Sequence, residues 1–192
     1  MRHAIILVVT AFVAACAGAP PPLSEIDAGG GITHVRPQTP SKFTAMQPGL
    51  AVPGADFLFV APVGVSRRGA LKHYLWLGAR STVDRGITGA KTPTIDAVIL
   101  IADGTPVRLD VEPWEQASEA EVFDTGLLVT DTLAARVTMS QLDWLARATA
   151  IDIVTVDSTG RETRYASRDD FKPVFGSFQR ATALAASSSN PQ

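Results

Sequence analysis

The chain has 192 residues, with 17 basic and 19 acidic side chains giving a net charge of −2, and 46% of its residues are hydrophobic. So mild and mixed a charge, with no long Lys/Arg run, argues against nucleic acid as a partner. A single cysteine excludes a disulfide-built scaffold, and the apolar content is enough for the core of one ordinary domain.

The N-terminus reads as a leader. Arg2 and His3 give a basic start, and Ala4 to Val13 form a short apolar core broken only by Thr10. Gly18 and Pro20-Pro21-Pro22 end the run well short of the roughly 20 apolar residues that a membrane helix needs. Val13-Ala14-Ala15-Cys16 closes the segment, and Cys16 is the only cysteine. On these residues the segment resembles a bacterial lipoprotein signal peptide, with the four residues as its lipobox. The resemblance covers residues 1–16 alone. It implies cleavage after Ala15, a diacylglyceryl thioether on Cys16 and acylation of the new amine. The mature protein would then be anchored to an envelope membrane by its lipids, facing away from the cytoplasm. One acyl chain binds a membrane only marginally, so several give the durable anchor. Ala17, in place of aspartate, points by resemblance to sorting in many Gram-negative bacteria to the outer membrane, facing the periplasm. An ordinary signal peptide cut near Ala15 is the alternative. Loss of residues 1–15 removes one basic residue, Arg2, and leaves 16 basic against 19 acidic side chains.

Residues 16–54 read as the lipidated cysteine and a tether. Residues 17–54 hold seven of the 13 prolines, with Gly29-Gly30-Gly31 among them. A free stretch from Ala17 to Gly31 reaches on the order of 50 Å and would stand the domain off the bilayer. Ile32 to Arg36 and Phe43 to Met46 are alternatively edge strands that wrap the domain, which loosens the boundary.

Residues 55–182 read as a single β-rich domain. Asp56 to Ala61 is an apolar run bounded by prolines. Leu71, His73, Leu75 and Leu77 alternate with Lys72, Tyr74, Trp76 and Gly78, the period of two of a strand. Ile95 to Ala102 is rich in β-branched residues, as in a strand buried on both faces. Asp103-Gly104 is a turn signal, and Val107, Leu109 and Val111 alternate beyond it, which predicts a hairpin. A further strand or pair is expected within Glu121 to Met139, and Ile151 to Val156 should pair with Glu162 to Ala166. Connections this short favour antiparallel pairing. Ser140, with Asp143 at the capping-box position, predicts a helix over Gln141 to Ala150. Ser167 with Asp170 caps a second, whose Phe171, Val174, Phe175 and Phe178 fall at helical spacing and which Pro173 starts or bends. Residues 183–192 read as a disordered tail. The fold class is mainly β (α+β): an antiparallel β-sandwich or bent sheet with one short helix and a C-terminal helix.

Chemical motifs are sparse. The mature chain has His34 and His73 alone, far apart and without metal-ligand spacing, and it lacks a G-x-S-x-G elbow. His73 shares its strand face with Leu75 and Leu77, which predicts a hydrogen-bonded core or rim histidine. Gly86 to Thr92 fails the spacing of a phosphate loop. The acidic residues from Asp103 to Asp124, with Asp110 and Glu112 on one strand face, lack the glycine turn of a calcium loop and read as a solvated face. No catalytic residue, metal or cofactor is assigned.

The best binding candidate is the aromatic and basic row Lys72, Tyr74, Trp76 and Arg80, a stacking surface flanked by donors, unless it packs in a second layer. Trp144 is either rim packing or a partner anchor. The functional expectation is an envelope-anchored lipoprotein, not an enzyme, that acts as an accessory subunit docking a protein partner. A periplasmic ligand- or glycan-binding module is the alternative. The scarcity of histidine and the missing nucleophile motif count against a hydrolase.

Overall fold

The computed structural model describes residues 23–46, 55–82, 94–118, 120–123, 129–167 and 171–188. Cys16, the leader and the Gly86–Thr92 segment lie outside them.

The strands are β1 (Leu23–Gly29), β2 (Ile32–Pro37), β3 (Ser41–Met46), β4 (Ala55–Arg67), β5 (Ala70–Ser81), β6 (Ala97–Ala102), β7 (Thr105–Pro113), β8 (Asp131–Val137), β9 (Ile151–Val156) and β10 (Glu162–Ser167). The helices are α1 (Trp114–Ala117), α2 (Met139–Arg147) and α3 (Lys172–Ser188). Eight strands pair in the order β4-β3-β10-β9-β6-β7-β8-β5, and β5 pairs back onto β4 to close an antiparallel barrel. This corrects the expected sandwich or open bent sheet. Alternation tells which side chains share a face, and short connections tell that neighbours are antiparallel. Neither says which strand pairs with which at long range. Closure rests on pairings such as Ser41↔Val60 through Met46↔Ala55, and His73↔Val137 through Ala79↔Asp131.

The 13-residue β4 organises the N-terminal strands. Its first half pairs with β3, and Gly64 to Arg67 pair with β2, so that β1 and β2 form a hairpin attached outside the closed barrel. The folded unit therefore takes in Leu23–Met46, residues that composition assigns to the tether.

An eight-stranded barrel is just wide enough for side chains to fill it. Phe43, Leu58, Leu75, Leu77, Leu100 and Ile153 do so, each at most 2% exposed. Helices α2 and α3 pack on each other and plug one end with Leu142, Leu145, Phe175 and Phe178. The α2 cap is not Ser140. Thr138 takes that place, its Oγ1 accepting from Gln141 N (3.2 Å) while Thr138 N donates to Gln141 Oε1 (2.8 Å). Pro173 sits in the first turn of α3, where its missing N–H costs no helical bond. The Asp103-Gly104 turn is as expected: φ is +48° and +82°, the left-handed pair of a tight hairpin, and β6 and β7 flank it in register. The Asp103 carboxylate accepts from Thr149 N (2.9 Å) and Ala150 N (3.0 Å), which ties this turn to the chain between α2 and β9.

Candidate functional site

Strand alternation places Tyr74 and Trp76 opposite Leu75 and Leu77, on the outer wall of the barrel. They are not exposed there. Tyr74 is 6% and Trp76 0% exposed, because Trp114 and Ala117 of α1, with Val122 and Phe123 beyond it, lie across their face as a strap. The floor of this second core is the outward row of β4, with Phe59, Ala61, Val63 and Val65 all buried. Cross-strand pairing puts Ala61 beside Trp76 and Val63 beside Tyr74. The Phe123 ring lies 4.9 Å from that of Trp76, and Trp114 meets Tyr74 edge-on at 6.3 Å. The expected open stacking surface is thus the inner layer of a packed wall. Lys72 is exposed and Arg80 half-buried, paired across β4 with Val65 and Phe57, so the row does not gather into one surface. Trp144 is half-buried against the barrel core as rim packing. An overlooked signal for the covered wall is the length of the apolar run in β4, which continues past Pro62 to Val65. A strand with only one buried face alternates, and this one does not.

The strap brings in a polar pair that no motif reveals. His34 on β2 and Ser118, just after α1, are both fully buried and share a 2.6 Å hydrogen bond through Nε2 and Oγ. The His34 ring meets Trp114 edge-on at 6.0 Å. Two residues along β2, the Arg36 guanidinium stacks 4.6 Å from the centre of the Phe123 ring and donates to the carbonyls of Pro37 and Gln38. Burial, with Arg36 nearby, holds the His34 pKa below its ordinary value; burial also lowers that of Arg36. A serine and a histidine in contact are two parts of a nucleophilic triad. Here His34 Nδ1 is buried without a hydrogen-bond partner among the described residues, so none of their acids orients the ring, and neither side chain reaches solvent. The geometry suits a clasp holding the strap to β2.

His73 is half-buried at the plugged end, its ring edge-on to Phe178 at 6.2 Å, and burial lowers its pKa. Its Nε2 lacks a hydrogen-bond partner among the described residues, so it is a rim histidine without the expected bond. Asp110 is exposed and Glu112 half-exposed, and among the described residues no group of three His, Cys, Asp or Glu is placed to hold a metal. A cleft of about 420 Å³ lies at the plugged end between Thr149–Asp152 and Ser167, Phe171 and Lys172. Among its described lining residues the one carboxylate, Asp152, is engaged by Arg164. No described helix is long and apolar enough to cross a membrane.

No protein-family model, curated protein or solved structure matches the chain.

Proposed function

We propose that this protein is a lipid-anchored envelope module that docks a protein partner through the outside of its barrel and is not an enzyme. The observation that carries this reading is the filled interior. Barrels that bind small molecules keep a cavity at the centre or mouth, whereas this one is packed by its own side chains and plugged by α2 and α3. The alternative ligand- or glycan-binding module rested on an exposed Tyr74/Trp76 surface, which the strap covers.

Anchorage at Cys16 follows from the lipobox resemblance, and the position of β1 sets its geometry. Leu23 is already paired with Pro37 in the folded unit, and it stands seven residues after Cys16. Seven covalent steps span at most about 25 Å, half the reach of a tether running to Gly31. A lipidated Cys16 would therefore hold the barrel against the membrane surface instead of on a long stalk. Cell fractionation tests the anchor. Cys16→Ser should release the protein to the soluble periplasmic fraction or leave it unprocessed, and unchanged membrane retention would refute it.

A further inference from the structure

The hairpin of β1 and β2 ends the sheet, and no described strand pairs with the outer edge of β1. An antiparallel strand directs about half of its N–H and C=O groups to each side, so this edge presents unused backbone partners to an incoming strand. Natural edges are commonly blunted by charged side chains, lysine above all, by proline, by a bulge or by shortness, and the charges on this edge are the acidic Glu25 and Asp27. The sequence of β1, Leu-Ser-Glu-Ile-Asp-Ala-Gly, contains no basic residue and no proline, and its one irregularity lies at the turn end, between Asp27 and Gly29. From Leu23 to Asp27 the strand runs in regular register with β2.

The side chains along the edge restrict what can add to it. Glu25 and Asp27 are exposed and, two residues apart, lie on the same face. They border a cleft of about 550 Å³ completed by Gly29, Gly30, Gly31 and Thr33. A second copy of the chain adding antiparallel and centred on Glu25, Ile26 or Asp27 would set carboxylate opposite carboxylate, which is unfavourable in cross-strand pairs. A strand with lysine or arginine at alternate positions meets the same row with opposite charge. Proximity to the bilayer, which rests on the anchored reading above, makes the bearer of that strand an envelope protein.

We propose that the outer edge of β1 is a strand-addition site for an extended, basic segment of an envelope protein. The partner's backbone lengthens the sheet beyond β1, and its basic side chains meet Glu25 and Asp27 from the cleft side.

The test uses the full chain in detergent micelles and an alternating lysine–threonine heptapeptide as the probe. A second heptapeptide has the same charge and a central proline, which cannot complete the backbone ladder. Amide hydrogen exchange is followed together with peptide affinity. The extended peptide should slow exchange within Leu23–Gly29, and the proline peptide should not. Glu25→Lys should weaken binding about tenfold, the loss of one charge-assisted contact, and should favour the glutamate–threonine counterpart. Equal binding of the proline peptide would reduce the effect to charge alone and overturn the proposal. So would protection confined to other strands, or a dimer formed through β1 without peptide. The peptide comparison on the unaltered chain decides the matter even if Glu25→Lys fails to fold. It also needs no lipid, so its failure is distinguishable from failure of the Cys16 anchor.

Discussion

Truncating Trp76 to alanine tests whether the strap is seated on the barrel wall. Trp76 is fully buried between the β4 row and Phe123. A buried tryptophan removes roughly 200 Å² from water, worth about 5 kcal/mol at 25 cal/mol per Å². Its indole N–H has no acceptor among the described residues, and that unmet desolvation offsets about 1–2 kcal/mol. The net expectation for Trp76→Ala is a loss of about 3–4 kcal/mol, within the range for large aromatic truncations. Trp76→Phe keeps most of the apolar area and removes the orphaned donor, so it should stay within about 1 kcal/mol of the parent. The ring also lies over Gly78, where an added Cβ would run into its Cη2 edge. Gly78→Ala should therefore cost about 1–3 kcal/mol alone and much less in the Trp76→Ala background, because the obstruction is then gone. Equilibrium urea unfolding of the parent and the four variants measures all of this. A Trp76→Ala cost under about 1 kcal/mol, with no coupling to Gly78, would mean that the ring is exposed in solution and that the packed-wall reasoning is wrong.

Three further outcomes follow from the same geometry. Burial lowers the pKa of both His34 and His73 below the ordinary 6.5, so between their folded values and 6.5 the unfolded chain binds protons that the native one does not. Stability should accordingly fall as pH drops below about 6.5, by up to about 1.4 kcal/mol per pH unit for each such proton, and level off above; urea midpoints across this range check it, and His34→Gln should flatten the slope. Removing residues 1–54 deletes β3, which joins β4 to β10, so that fragment should lack a cooperative unfolding transition, whereas a chain starting at Leu23 keeps every barrel strand and should retain one. Thr138→Ala should cost about 1 kcal/mol in thermal or urea unfolding through loss of the α2 cap, and Ser140→Ala close to nothing.

Local order was written plainly in the sequence. Alternation around Leu75 and Leu77 set the two faces of β5, Asp103-Gly104 set the β6–β7 hairpin, and the Phe171–Phe178 spacing set the C-terminal helix, because each depends on residues a few positions apart. Even the burial of the outer wall left a trace, in the unbroken apolar run of β4 through Val65. Tertiary structure alone decided what came to lie on each face. Among the described residues, barrel closure joins β3 to β10 through Ala166↔Thr44 and Ser167↔Phe43, and the strap is clasped by a hydrogen bond between residues 84 positions apart. Such contacts have no period to betray them. They form because the outward row of β4 cannot remain in water, and the hydrophobic effect that covers it is non-directional, so it does not specify which distant segment will do so. For the same reason Leu23–Gly29 read as tether by composition and became a strand when Ile32–Pro37 offered it a partner edge.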